Sequence, residues 1–141
     1  MCIVTVGIDL AKNVFAVHGV NAAGQVLLLK PEVKRDKLLA LIASLPPCLI
    51  GMEACSSAHY WGRRLTEMGH TVKLMPPQYV KPYVKTNKND ARDAEAICEA
   101  VTRPNMRFVP IKTEEQQAVL VLHRVRDGIV AYSTRNWTVI P

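Results

Sequence analysis

The chain has 141 residues, a net charge of +6 and a pI of about 9.3. This length fits one domain. Hydrophobic residues make up 49% of the chain and charged residues 21%, an ordinary globular composition that excludes disordered and collagen-like chains. The basic surplus is moderate and favours an anionic partner, of which nucleic acid is the commonest.

The four cysteines show no pairing pattern. None of them belongs to a C-x-x-C pair, and two lie in runs typical of a buried strand and a helix. We therefore expect a reduced, cytoplasmic protein with structural thiols. The N-terminus lacks a secretory signal pattern, and the longest uncharged apolar stretch, Leu38–Met52, contains two prolines and is too short to span a bilayer. No contact with a membrane is expected.

The first 30 residues predict three strands. A β-branched run at Ile3–Leu10 is typical of a strand buried on both faces. Two shorter apolar runs follow at Val14–Gly19 and Gln25–Leu29, and turn residues separate them. Strands joined by tight turns form an antiparallel meander, so this is the predicted first half of the sheet.

Helices and strands then alternate. Helical spacing predicts one helix over Lys34–Ser44 and another that ends at Met68, with Ser56 or Ser57 as its N-cap. Short apolar runs predict strands at Cys48–Met52 and Thr71–Met75. Because a strand, a helix and a strand in this order require a crossover, these two strands are expected to be parallel. The predicted fold class is therefore α/β, with a mixed sheet flanked by helices.

The last part of the chain is predicted to begin with an irregular, extended segment. Three prolines between residues 76 and 82 favour this conformation. Two helices are then predicted, over Asn89–Val101 and Glu114–Arg126.

Four carboxylates lie where a purely structural role is not expected. Asp9 and Glu53 lie at the ends of the two most apolar strands. At about 100° per residue, Asp90 lies on the apolar stripe of its helix and Asp93 about 60° to one side. Converging buried carboxylates repel one another and raise each other's pKa, whereas bound Mg²⁺ or Mn²⁺ removes that cost. The four acids therefore predict a two-metal site of the kind that acts on phosphorus.

Each carboxylate also has a structural interpretation. Asp9 could simply form a turn, and Glu53 could accept hydrogen bonds from the start of the next helix. Asp90 could cap its helix in competition with nearby asparagines, and Asp93 could pair with a preceding lysine. Taken together, their order and positions favour the metal site.

Three motifs in this order carry a family resemblance. They are Gly7-Ile8-Asp9-Leu10-Ala11-Lys12, Gly51-Met52-Glu53-Ala54 and Lys88-Asn89-Asp90-Ala91-Arg92-Asp93-Ala94. The sequence resembles the DEDD transposases, the recombinases of insertion-sequence families 110 and 1111, from about Ile3 to Arg126. The third motif is the most specific, because the Gly-Ile-Asp strand also occurs in other RuvC-like nucleases and in actin-like ATPases. An actin-like ATPase is disfavoured, because its second lobe would not fit this length.

The resemblance implies a RuvC-like fold of the ribonuclease-H type. It implies that the tetrad of Asp9, Glu53, Asp90 and Asp93 binds Mg²⁺ and that the protein cuts and rejoins DNA. Family members recombine DNA guided by a structured RNA of their own element, act as homo-oligomers in the bacterial or archaeal cytoplasm at the nucleoid, and use a second domain with a nucleophilic serine.

The C-terminal part departs from the family pattern. Residues 1–126 are interpreted as the RuvC-like domain and residues 127–141 as a divergent tail, with no serine-bearing domain after it. We interpret the chain as truncated, frameshifted or deliberately cut, and expect it to be inactive alone. The alternative is a non-catalytic nucleic-acid-binding module derived from a transposase.

The basic charge is concentrated between Lys73 and Lys112. This span has eight basic and four acidic residues and so carries +4 of the chain's +6. Tyrosines interleave with the lysines, a pattern that suits phosphate contacts and base stacking, although a solvated loop is the simpler alternative. The residues predicted to bind nucleic acid are Lys12, Lys81, Lys85, Lys88 and Arg92.

Overall fold

A computed structural model describes residues 2–10, 14–84 and 90–119. The strands are β1 (Thr5–Leu10), β2 (Val14–Val20), β3 (Val26–Lys34), β4 (Leu49–Glu53) and β5 (Thr71–Met75). The helices are α1 (Arg35–Ala43), α2 (Ser56–Glu67), α3 (Pro77–Val80) and α4 (Asp90–Ala100), with a 3₁₀ turn at Lys81–Tyr83. No helix within these described ranges is both long and apolar enough to cross a membrane.

The five strands form one mixed sheet in the order β3-β2-β1-β4-β5. The β1–β2 and β2–β3 pairs are antiparallel, and the β1–β4 and β4–β5 pairs are parallel. This confirms the predicted meander with two added parallel strands and agrees with a RuvC-like fold. The hydrophobic run of β1 is explained by its central position, since both faces of this strand are covered.

Alternate residues of the sheet face two different layers. Val6 and Ile8 of β1 belong to one buried cluster together with Leu38 of α1 and with Trp61 and Leu65 of α2. The opposite face carries α4, which packs there in a second cluster with α3. That cluster contains Met75, Val80, Ala96, Ile97, Ala100 and Val101. The helices therefore cover both faces of the sheet.

Two glycines let α4 lie directly against the strands. A Cβ at Gly7 would lie 2.3 Å from the carbonyl oxygen of Ala94 and 2.4 Å from the backbone nitrogen of Cys98. A Cβ at Gly51 would lie 2.7 Å from the Cβ of Val101. Only glycine allows so close an approach, so these two positions fix where α4 crosses β1 and β4.

Three local predictions were wrong. The segment after β5 is helical rather than extended, because Pro77 occupies the first turn of α3, where its fixed φ suits a helix and its missing N–H costs nothing. Neither serine caps α2, since the residue before the helix is Cys55 and no side chain caps it. Strand β3 was predicted to end at Leu29 but continues to Lys34. It passes through Pro31, which is tolerated because β3 lies at the edge of the sheet.

The chain divides into two compact units, Met1–Ile111 and Lys112–Pro141. In the second unit, residues 114–119 form a helix, as predicted for its start. The Thr113 N–H donates to Oε1 of Gln116 at 2.9 Å, and the Gln116 N–H donates to Oγ1 of Thr113 at 3.1 Å. This reciprocal pair is a capping box. The predicted domain boundary at residue 126 and the end of this helix lie outside the described residues.

Candidate metal and nucleic-acid site

Asp9 and Glu53 lie at the same edge of the sheet. Strands β1 and β4 are parallel and in constant register as far as Ile8 and Met52, so the next residues along the two strands, Asp9 and Glu53, are neighbours. Both acids lie two residues after the glycines that contact α4. Because side chains alternate along a strand, both therefore lie on the α4 side of the sheet. Each is partly buried.

Helix α4 brings Asp93 to this edge. The carbonyl of Ala94 lies at Gly7, and the thiol of Cys98 donates to the carbonyl of Thr5 at 3.8 Å. As α4 proceeds from Ala94 to Cys98, its contacts on β1 therefore move backwards along the strand, so the helix runs antiparallel to β1. Its N-terminal end must then lie towards Asp9. Asp93, just before Ala94 and partly buried, is at that end.

Asp90 is the first residue of α4, and its side chain lies outside the described residues. The backbone therefore gathers three of the four predicted acids at one corner of the sheet, which we call the acidic corner (Asp9, Glu53 and Asp93). Carboxylates are the hard oxygen ligands that Mg²⁺ takes, so the donor type fits this ion. Within the described ranges, however, no three His, Cys, Asp or Glu side chains form a group that could hold a metal ion. The metal site stays a prediction.

Two of the five residues predicted to bind nucleic acid are described. Lys81 is exposed in the 3₁₀ turn. Arg92 is on α4, next to Asp93, with 43% of its side chain exposed, and its Nη1 lies 3.9 Å from Oε1 of Glu95. Lys12, Lys85 and Lys88 lie outside the described residues. The basic segment therefore reaches the helix that carries the acids, but its contacts with nucleic acid stay a prediction.

The thiols play a structural role where they are buried. Burial raises the pKa of Cys48 to about 11 and that of Cys98 to about 12. For Cys98 a hydrogen bond with the backbone of Gly7 lowers the pKa, whereas the charges of Glu95 and Glu99 add to the rise. Both thiols are therefore protonated and unreactive at neutral pH. Cys55 is exposed and His59 is buried.

The structure brings together one group of residues that the sequence did not predict to be neighbours. Tyr79, Tyr83, Arg103 and Arg107 line a single groove of about 530 Å³. The sequence shows these residues only as members of a long basic segment. Nothing in their spacing could bring them together, because Arg103 and Arg107 follow α4 whereas the tyrosines precede it. The contact depends on α3 and the 3₁₀ turn folding back along α4.

Comparisons with known proteins place the chain in a family of transposases. The sequence model of the family DEDD_Tnp_IS110, described as a transposase, matches residues 6–140. A protein of Pseudomonas aeruginosa named "Probable family 20 transposase" is 57% identical over 129 residues, which are 92% of this chain and 38% of the relative.

Two further relatives are named for insertion sequences. The transposase for insertion sequence element IS1328 of Yersinia enterocolitica is 51% identical, over 89% of this chain and 37% of the relative. The transposase for insertion sequence element IS1111A of Coxiella burnetii is 46% identical, over 91% of this chain and 35% of the relative. The chain thus spans little more than a third of the length of the curated relatives it matches.

Proposed function

Because this chain belongs to the DEDD_Tnp_IS110 family of transposases, we propose that it is the RuvC-like part of a Mg²⁺-dependent enzyme that cuts and transfers DNA strands. The observation that supports this most is the acidic corner, where strand register and helix packing bring Asp9, Glu53 and Asp93 to one edge of the sheet. A cation bound between acids gathered in this way reduces their mutual repulsion.

We propose that Asp9, Glu53, Asp90 and Asp93 hold Mg²⁺, with Mn²⁺ as an effective substitute. When bound, the metal supplies activation of the attacking oxygen and stabilisation of the leaving oxygen at phosphorus. The chain's own contribution is rigid placement. Backbone pairing of β1 with β4 holds two of these acids, and the contact of α4 with Gly7 holds the helix that carries Asp93 at the same edge of the sheet.

DNA is the proposed substrate, and we propose a structured guide RNA and a homo-oligomer for the full-length members of the family. Because the chain spans little more than a third of its relatives, we assign complete strand transfer to the longer protein. The cysteines are free, which supports a reducing, cytoplasmic location.

A second candidate function is binding of nucleic acid without catalysis. The observation that favours it is the +4 charge between Lys73 and Lys112, which would serve binding whether or not a metal is held. The two functions differ in their need for a metal, since phosphate contacts by lysine and arginine require none.

Thermal unfolding with Mg²⁺ tests the metal proposal. A ligand at about tenfold its Kd stabilises the folded state by about 1.4 kcal/mol, which corresponds to a rise in Tm of about 5 °C for a chain of this size. We expect this rise in the 141-residue protein and its loss in Asp9→Asn and in Asp93→Asn. The control is Asp36→Asn, which neutralises an exposed acid in the first turn of α1 and should keep the rise. No rise in the parent protein would overturn the metal site.

Binding of labelled DNA and RNA at several salt concentrations tests the basic segment. Replacing Lys81, Lys85 and Lys88 with Ala should weaken binding and reduce the slope of log K against log salt by about three, because fewer counterions are released. The matched control removes the same charge by replacing Lys30, Lys34 and Lys37, which are exposed on β3 and α1. If the two triple replacements had equal effects, the basic segment would be interpreted as a solvated loop instead of a nucleic-acid-binding site.

A further inference from the structure

We propose that the groove lined by Tyr79, Tyr83, Arg103 and Arg107, here the aromatic groove, binds one unpaired nucleotide of a nucleic-acid strand whose phosphates reach the acidic corner. This inference rests on the proposed function, because it assigns a second contact point to the same strand. The structural feature that carries it is the juxtaposition of aromatic rings, guanidinium groups and side-chain amides at the far end of α4.

The groove has the size and lining of a small-ligand site. Its volume of about 530 Å³ lies within the range typical of such sites. Besides the tyrosines and arginines, its lining includes Gln78 and Asn105, and none of the described lining residues is acidic. An anionic ligand with a flat, hydrogen-bonding ring therefore matches it better than a cation or an aliphatic chain.

The two tyrosines have different roles. Tyr83 is covered, since the guanidinium carbon of Arg103 lies 5.5 Å from the centre of its ring and Arg103 donates to Oε1 of Glu99 at 2.6 Å. Tyr79 is 38% exposed. The ring available for stacking is therefore that of Tyr79, while Tyr83 and Arg103 form a fixed wall.

An unpaired nucleotide can contact all three kinds of group in the groove, namely the aromatic ring, the side-chain amides and the guanidinium groups. Every base has a π-face that can stack on tyrosine, and such stacking tolerates different sequences. Gln78 and Asn105 carry amides that can pair with the edge of a base, and Arg107, which is exposed, can contact a phosphate. A duplex keeps its base faces stacked inside, so the proposed ligand is single-stranded.

The length of α4 sets the separation between Arg103 in the groove and Asp93 in the acidic corner. Val80 and Tyr83 pack against α4 residues, which ties the groove to that helix. Arg103 follows α4 by three residues, whereas Asp93 is near its N-terminal end. At 1.5 Å per residue, Arg103 lies about 15 Å from Asp93 along the helix axis. This is about four or five nucleotide steps at 3.4 Å each, and fewer in an extended strand.

Fluorescence anisotropy with three probes of one sequence tests this inference. The probes are single-stranded DNA, single-stranded RNA and duplex DNA, each titrated with the 141-residue protein without metal. We expect Tyr79→Ala to weaken binding of at least one single strand about tenfold or more and to leave the duplex unchanged. Tyr79→Phe keeps the ring and should bind as the parent does. The strand that loses more affinity identifies whether the groove serves DNA or RNA.

Two further variants make the result decisive. Tyr60→Ala removes a tyrosine of similar exposure on α2 and should leave all three affinities unchanged. Arg107→Gln should reduce the salt slope for the single strand by about one, even if Tyr79→Ala fails to fold. Unchanged single-strand binding in Tyr79→Ala, or an equal loss on the duplex, would overturn the inference. If the triple lysine replacement still weakens DNA binding in that case, the proposed function stands without the groove.

Discussion

Cys48 and Cys98 illustrate how single residues respond to their surroundings in this fold. Both thiols are buried, and the pKa of each is raised above its ordinary value of 9.0, to about 11 and about 12. The unfolded chain therefore loses these protons first as the pH rises. Their contribution to stability is complete below pH 9 and decreases as the pH rises towards the folded pKa values.

We predict that the free energy of unfolding falls between pH 9 and pH 11, by at most about 1.4 kcal/mol per pH unit for each of the two thiols. Urea unfolding at several pH values measures this. The Cys48→Ala, Cys98→Ala double variant should show a shallower decrease than the parent. The matched control replaces the exposed Cys2 and Cys55 with Ala and should keep the parent slope. Identical slopes for all three proteins would contradict the account.

At the residue scale, the sequence could indicate candidate acids but not their arrangement. Asp9 and Glu53 were singled out because a charge at the end of an apolar strand is unusual. Their proximity depends on the register of β1 with β4, which the two segments do not encode locally.

Among the secondary-structure elements, α4 has the largest effect on the site. It carries Asp90 and Asp93, and its position depends on the absence of side chains at Gly7 and Gly51. At Gly7 the neighbours are backbone atoms of α4, which cannot rotate away as a side chain can. Any side chain there must displace the whole helix from the sheet.

We predict that Gly7→Ala lowers the free energy of unfolding by about 3 kcal/mol or more, because the new methyl group overlaps the α4 backbone. Gly19→Ala is the matched control. It also replaces a strand glycine, but its nearest neighbours are side-chain atoms of Leu28 and Ile3 at 3.2 and 3.3 Å. Chemical denaturation measures both variants, and a loss no larger for Gly7→Ala than for Gly19→Ala would refute the close-contact argument.

Element order was predictable from the sequence, whereas several element boundaries were not. Apolar runs predicted the strands β1 to β5, and helical spacing predicted the helices α1, α2 and α4. Boundaries near prolines differ from the predicted ones at both edges of the sheet. Pro77 begins α3 because a proline suits the first turn of a helix, and Pro31 stays within β3 because an edge strand can lack one hydrogen bond.

At the scale of the whole molecule, residues of different charge lie towards the two ends of α4. Asp93 lies near the N-terminal end of α4, and Arg103 and Arg107 of the aromatic groove, whose described lining residues include no acid, follow its C-terminal end. A net charge of +6 favours association with nucleic acid at any site on the surface. Whether the proposed function includes cutting of DNA, rather than binding alone, then depends on whether the acidic corner binds a metal.

Titration of Mn²⁺, followed by the electron paramagnetic resonance signal of the free ion, tests this central claim most directly. The account predicts saturable binding to the 141-residue protein, displacement by Mg²⁺, and loss of binding in Glu53→Gln. Glu67→Gln, which neutralises an exposed acid at the end of α2, should bind as the parent does. A parent protein that leaves all Mn²⁺ free, or a Glu53→Gln variant that binds it undiminished, would contradict the account.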